Sequence, residues 1–516
     1  MTSTTPVTPP YGSSSSHMST NPSRFKKAPS PFFRFKYIIL GTVILFIVIL
    51  LVIQFSLHVN TPSHDDDAST QGTQPEAKNV PLVSLNEKGE TRDTVSEVTI
   101  WSTSFHISPI HCLKHFMKNI FEKKTGIKVN IIEKSLSGHC ALTNSCAKDL
   151  KVLTPDNAKG ENECVVPIAK QFYDAYVDDP EFKKADLVMC DHNVAMCEMY
   201  MAFDVPLVLY LTTRYELWRH QPERWRNLNS NLWKMFFRGP NSIIANNLYD
   251  AKYFNYFTGL EAGVVDSYCG YAADMAIYNN PKRKEILIGP SRLSITPSEF
   301  FKPLEELAKR DDFDLKLAPI RSLYPKFEYS DLVNHPAIVI VPYQLSVMSF
   351  FEYYRMGIPL YFPSVDLLTK WHVKFRILSE KTWHMVLTKN PSKGSPLKRN
   401  PQSTVSSGMD PNNDVDAKSV RYWNYFADLY QWPHVIIYDS FEDLYHKLKR
   451  ATPEYYKEVS AKMHKYSEQV QQNLIEDWKR IFEKAKKKKG RSRFSSFYEA
   501  IQNWGIFINE KSCDIA

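Results

Sequence analysis

Short apolar runs alternate with amphipathic stretches along most of the chain, which is the pattern of βα units and of a mostly parallel sheet. In the first half, the runs predicted as strands are Val98–Trp101, Lys128–Ile132, Ala185–Cys190, Pro206–Leu211, Ser242–Ala245 and Gly263–Val265. In the second half they are Glu285–Ile288, Leu315–Leu317, Ala337–Val341, Leu360–Phe362 and Val435–Tyr438. Residues 272–284 between the halves read as a linker, so the pattern predicts two α/β domains, 96–275 and 284–451. Residues 389–418, rich in Pro, Ser, Asn and Gly, read as a disordered surface insertion. Residues 452–489 read as a helix, with Thr452 as N-cap and Pro453 at the first helical position, and 490–516 as a tail.

One apolar run differs in kind. Tyr37–Leu57 is 21 residues without a charge, and at ~1.5 Å per residue it spans a ~30 Å hydrocarbon core. It follows a 36-residue leader with no cleavage pattern behind it, which disfavours a signal peptide. Residues 1–36 hold Arg24, Lys26, Lys27, Arg34 and Lys36 and no acid, whereas Asp65, Asp66 and Asp67 follow the run. Positive-inside logic therefore predicts a type II protein: cytoplasmic tail 1–36, transmembrane signal-anchor helix 37–57, flexible stem 58–95, and the remainder outside the cytosol. The lipid bilayer is an expected partner through residues 37–57. The Golgi is the expected compartment, with endoplasmic reticulum and plasma membrane left open.

Charge and cysteine usage narrow the picture. Five of the 64 Lys and Arg lie in the tail, so the other 59 face 56 Asp and Glu. No basic domain exists, and no nucleic-acid partner is expected. All eight cysteines lie beyond the membrane run, an even number that suits an oxidising lumen and disulfides. Cys140, Cys146 and Cys164 share a polar stretch where cross-links would hold a long loop; Cys190 and Cys197 fit either a bond or buried thiols. Their spacing lacks the short pairs of a zinc site. The lysines of 484–489 read as a solvated helix end rather than a polyanion contact.

The stretch most informative about chemistry is His335–Ser364. A buried strand ends at Pro342, a turn leads into a helix that stops at Gly357, and Pro359 precedes the next strand. Such a βαβ unit places the backbone N–H groups of Ser346, Val347 and Met348 at the strand C-termini, where phosphate oxygens are favoured. Glu352, about one turn on, suits ribose hydroxyls. The spacing Ser349-x-x-Glu352 equally fits a capping box that needs no ligand.

Glu352-Tyr-Tyr-Arg-Met-Gly357-Ile-Pro359, set between two apolar strands, resembles the donor-site signature of GT-B glycosyltransferases. The resemblance implies an α/β fold of two Rossmann-like domains facing a central cleft, here behind one N-terminal transmembrane helix. It implies a nucleotide sugar as co-substrate, and a glycan or glycoconjugate acceptor in the lumen. In that family the Glu binds the donor ribose and the loop before it lies by the sugar and diphosphate; Glu352, Ser346, Val347 and Met348 inherit those roles. Many retaining members carry a second Glu eight residues earlier, where this chain has Gln344, so the stereochemistry stays open. Glu285-Ile-Leu-Ile-Gly-Pro-Ser-Arg292 resembles the strand and loop that open the second domain, with Gly289 and Arg292 beside the diphosphate. No cofactor or metal is expected. The Asp-x-Asp metal site of GT-A enzymes is matched in letters by Asp312-Phe-Asp314 and Asp414-Val-Asp416, but the first lies between a helix and a strand and the second in the insertion.

A catalytic base belongs at a strand C-terminus in the cleft. Asp191 and His192 directly follow one predicted strand and His106 follows the first; each also fits a polar cap on a strand end. Trp218, Trp225 and Trp233 fit sugar stacking or core packing alike. Two other classes compete with this reading. A sulfotransferase needs a cation just after the first strand, and none precedes Lys114. A non-catalytic membrane-anchored α/β binding protein would keep the fold and release no nucleotide.

Overall fold

The structure, a computed structural model, describes residues 95–158, 165–292, 296–488 and 494–507. The predicted cytoplasmic tail, membrane run and nearly all of the stem lie outside these residues, as do Cys164, Cys513, 490–493 and 508–516. The rest of the expected C-terminal tail is not free chain but holds a helix, Phe497–Trp504, with Phe497 and Ala500 buried. Among the described residues no helix is long and apolar enough to cross a membrane.

Ten of the eleven predicted runs form strands in place, and the eleventh is displaced: of Leu315–Leu317 only Leu317 is strand, which runs on to Pro319. The first half gives β1 (Glu97–Ser104), β2 (Lys128–Ser135), β3 (Leu187–Cys190), β4 (Leu207–Leu211), β5 (Ser242–Ala245) and β6 (Gly263–Val264). The second gives β7 (Ile286–Ile288), β8 (Leu317–Pro319), β9 (Ile338–Val339), β10 (Leu360–Pro363) and β11 (Ile436–Tyr438). Parallel strands covered on both faces read as continuous apolar runs, and β3 and β10 are buried throughout. β1 runs three residues beyond its apolar core because Ser102, Thr103 and Ser104 are buried as well.

Two all-parallel sheets result, in the orders β2-β1-β3-β4-β5-β6 and β11-β10-β9-β7-β8. In each, the first strand of the half lies between the second and the third, so the direction of winding reverses between β1 and β3 and again between β7 and β9. Open α/β sheets bind ligands outside the strand C-termini at such switch points. Four helices matter for what lies there: α1 (Ile107–Phe116), α2 (Leu248–Thr258), α3 (Met348–Arg355) and α4 (Pro453–Lys486).

The 34-residue α4 is ~50 Å long and ties the halves together. Near its start Tyr456 bonds Tyr361 of β10 at 3.1 Å; near its end Phe482 packs edge-on against Phe121, ring centres 5.5 Å apart. Gly357 lies just past α3 at φ +73°, and a Cβ there would run into His464 and Ser460 of α4. Backbone conformation and close approach both demand glycine.

Three further expectations are corrected. Residues 389–418 are irregular but packed, not a disordered insertion: Ser392, Ser403, Val405, Asn412 and Asp414 are all buried. Asp414 accepts from Lys381 Nζ at 3.3 Å, Thr382 Oγ1 at 2.8 Å and Ser392 N at 2.9 Å, inside the protein. Asn400 N donates to Tyr256 O at 2.8 Å and Ser403 Oγ to Asn255 Oδ1 at 2.9 Å, both on α2, so the segment joins the halves. Its polar residues are satisfied by α2 and Lys381 as well as by their neighbours, which composition alone reads as disorder. The basic end of α4 is not a solvated terminus: Lys486 pairs with Asp186 at 2.8 Å, Lys488 with Asp204, and Lys484 donates to Asn241 O. Cations at a helix C-terminus meet both the dipole and acceptors of the first half. Residues 271–275 form a short helix, and Tyr278 N donates to Met356 O at 2.8 Å, so the expected linker is docked. Disulfides join Cys112 to Cys269, Cys140 to Cys146 and Cys190 to Cys197.

Candidate functional site

The two switch points face a narrow polar cleft. On its first wall, β1 runs out into His106, which caps α1: its Nδ1 accepts from Ser108 N at 3.2 Å. β3 runs out into Asp191 and His192, and the rings of His106 and His192 lie 5.1 Å apart. β4 runs out into Thr212, Thr213 and Arg214. Thr212 Oγ1 donates to Asp191 O at 3.3 Å and lies 3.5 Å from His192 Nδ1. The structure thus brings Asp191, His192 and His106 together.

Their environments differ. Asp191 is only 1% exposed, and its carboxyl oxygens make no well-formed hydrogen bond, Ser102 and the backbone N–H groups of Asp191 and His192 reaching it only weakly. Burial pushes its pKa up to about 7. It is sealed from the cleft and presents no oxygen to a substrate. Burial drives His192 down to about 3, with His106 and Arg214 adding to the effect. His106 is lowered by desolvation and by His139. A ring nitrogen that accepts a backbone N–H carries no proton, so neutral His106 holds its proton on Nε2 and donates there. His192 Nδ1 lies 3.5 Å from Thr212 Oγ1, whose hydroxyl also reaches Asp191 O at 3.3 Å, so either ring nitrogen of neutral His192 can carry its proton.

On the second wall, Gly289 N donates to Val339 O at 2.9 Å, and a Cβ on Gly289 would meet Ile340 Cγ1 at 3.0 Å. The glycine lets β7 and β9 close up at the switch point. Arg292 pairs with Glu380 and lies 5.0 Å from the Tyr343 ring, on the rim. Gln344, Leu345 and Ser346 line a cavity of about 10 Å³ together with Thr212, Thr213, Arg214, Tyr249 and Asp250 of the first wall. Val347 is the N-cap of α3 and makes no side-chain cap hydrogen bond; Met348 opens the helix.

The capping box Ser349-x-x-Glu352 does not form, because the helix begins a residue before Ser349. Glu352 instead accepts from Tyr271 Oη at 2.5 Å and from Tyr329. Desolvation raises its pKa against those two hydrogen bonds. The Tyr271 ring leans on His111 of α1, centres 4.6 Å apart, so this carboxyl ties the walls together. Of the tryptophans, Trp225 is buried and bonds Tyr215 Oη at 2.7 Å, and Trp233 bonds Thr258 O at 2.7 Å. Trp218 packs edge-on against Phe105 at the end of β1, ring centres 4.5 Å apart.

Arg214, Tyr249, Asp250 and Trp383 escaped the sequence reading. Arg214 had one signal, a cation three residues past a buried strand. The others follow only from the packing of separate segments. Among the described residues no group of three or more His, Cys, Asp or Glu is arranged to hold a metal ion. The oxygens of Asp414 already serve Lys381, Thr382 and Ser392.

No family model matches the chain, and no curated protein matches it. Solved structures it is similar to include glycosyltransferase VinC in complex with dTDP, at 12% identity and TM-score 0.33, covering 76% of this chain and all of that one. The glycotransferase of kitacinnamycin gives 10% identity and TM-score 0.38 over 74% of this chain and 98% of its own. Spinosyn forosaminyltransferase SpnP gives 13% and 0.35 over 75% and 100%. At TM-scores this low the likeness decides nothing. The two-sheet architecture rests on the strand pairing itself.

Proposed function

We propose that this protein is a membrane-anchored glycosyltransferase that moves a sugar from a nucleotide-sugar donor to a glycan or glycoconjugate acceptor in a Golgi-type lumen. One observation carries the reading: the loop just before Glu352–Pro359, the stretch that resembles the GT-B donor signature, lies at the second switch point, and its Gln344, Leu345 and Ser346 share a polar cavity with Thr212, Thr213 and Arg214 of the first wall. The anchor rests on the apolar run 37–57 and its flanking charges, and the oxidising compartment is supported by three disulfides.

In the reaction the sugar carbon breaks its bond to the diphosphate oxygen, which keeps the electron pair. The same carbon bonds the acceptor hydroxyl oxygen, whose proton goes to a neutral histidine of the first wall, His192 or His106, while Asp191, sealed from the cleft, takes no part. Ser346, Val347 and Met348 present N–H groups to the diphosphate, with Gly289 and Arg292 at its edge. Glu352, already bonded to Tyr271 and Tyr329, offers its remaining lone pairs to the ribose. No metal is assigned a role.

Arg292 and Glu352 are both engaged within the protein, which favours as a second reading a non-catalytic α/β binding protein. Thermal melting of the full chain against UDP, GDP, CMP and their sugars, followed by assay of nucleotide release, separates the two. A ligand at ~100 times its Kd adds ~2.7 kcal/mol. A selective rise with turnover supports the transferase, a rise without release the binder, and no rise with any nucleotide rejects the donor site.

A further inference from the structure

Arg214 is 4% exposed, its Nε has no hydrogen-bond partner, and its guanidinium lies 4.1 Å from the centre of the Trp383 ring. A buried cation without a hydrogen-bonded anion costs several kcal/mol. Tyr249, lining the same cavity, holds a buried hydroxyl that is also unpartnered. Two carboxyls stand near Arg214 without pairing to it: Asp250 Oδ2 accepts from Asn247 Nδ2 at 2.7 Å, Glu216 Oε1 accepts from Tyr253 Oη at 2.7 Å, and Glu216 Oε2 is buried with no partner. Across the cavity stands the loop that leads into α3, a helix whose N-cap side chain makes no hydrogen bond. A helix N-terminus of this kind favours negative charge.

We propose that Arg214, Tyr249 and the open N-terminus of α3 form one anion seat, and that it takes the diphosphate of the nucleotide donor from both walls at once. This rests on the glycosyltransferase reading and adds to it a cation from the first wall. Guanidinium suits the task because it pairs phosphate oxygens in a bidentate fork, and Trp383 fixes its plane. At about 10 Å³ the cavity holds a single water, so a diphosphate enters only as the walls separate.

The test is calorimetric titration of the full-length protein with inorganic pyrophosphate, UDP, GDP and CMP, in wild type and in Arg214→Ala, Arg214→Gln and Arg214→Lys. The glutamine variant keeps the stacking volume and carries the test should the alanine variant not fold. Loss of one charge-assisted contact predicts a fall of ~10- to 100-fold in affinity for pyrophosphate and for the nucleoside diphosphate that binds, with the lysine variant in between. CMP, with one phosphate, is expected to change less. Equal pyrophosphate affinity in wild type and in folded Arg214→Gln overturns the seat. Nucleoside diphosphate binding that is indifferent to Arg214 overturns the seat alone and leaves the glycosyltransferase reading standing. Arg214-dependent pyrophosphate binding with no nucleoside diphosphate binding supports the seat and overturns that reading.

Discussion

On the second wall of the cleft Arg292 is paired to Glu380, and Glu352 takes hydrogen bonds from two tyrosines. On the first wall Asp191, Arg214 and Tyr249 keep buried polar atoms without a well-formed hydrogen bond. The sheets share one winding order, so topology does not cause the difference. It comes from where the polar groups originate. The second wall draws on a single βαβ segment and on residues 380–418, which fold back on it with carboxylates and amides. The first wall gathers the ends of three separate strands, and of their polar residues Asp191 and Arg214 are buried while His106 is exposed. Unpaired buried polar groups store free energy that a ligand can release, and paired ones resist change.

The sharpest way to break this comparison is to unpair the second wall. Lys381 and Asp414 are fully buried, with His372 Nε2 3.7 Å from the same carboxylate. Lys381→Met leaves that carboxylate uncompensated and is expected to cost ~3–5 kcal/mol, melting residues 389–418 first. Thermal unfolding and limited proteolysis in that segment check it; an unchanged midpoint would mean the pair contributes no net stability.

Repairing the first wall runs in the opposite direction. Asp191 has its pKa raised in the folded protein, so between its ordinary value and about 7 the folded chain holds more protons than the unfolded one, and stability falls as pH rises. His192, lowered to about 3, acts in the opposite sense below its ordinary value, so the whole-protein profile partly cancels. The difference between wild type and Asp191→Asn isolates the acid. The variant is expected to gain ~2–4 kcal/mol at pH 8, with the gain shrinking as pH falls and absent near pH 3.5. A gain independent of pH, or a loss at pH 8, would show that Asp191 is partnered in solution.

These two experiments also mark what was legible in the sequence. The central strands announced themselves, because parallel strands covered on both faces, such as β3, β4 and β10, need apolar residues at every position. Gly357 was legible as a helix stop because that role is local to a few consecutive residues, whereas its close approach to His464 and Ser460, and that of Gly289 to Ile340, was not. The disorder assigned to 389–418 failed because satisfaction of Asn400, Ser403 and Asp414 depends on α2 and on Lys381, far away in sequence. Arg214 was illegible for the same reason: its meaning lies in the absence of a partner, which only packing reveals. Glu352 lies between these cases. Its motif was visible, but the phenol that occupies it comes from Tyr271, 81 residues earlier.

That last contact allows the finest comparison, since Tyr271 and Glu352 belong to opposite walls. Tyr271→Phe removes one donor from a desolvated carboxylate, and Glu352→Gln removes the charge while keeping the shape. Each single change is expected to cost ~1–2 kcal/mol, and the double variant less than their sum by ~1 kcal/mol, the coupling of one charge-assisted hydrogen bond. Nucleotide added at saturation should reduce this coupling if the ribose competes for the Glu352 oxygens, and leave it intact if the carboxyl only ties the walls. The cycle therefore reads out, in one coupling energy, whether Glu352 serves the donor or the fold.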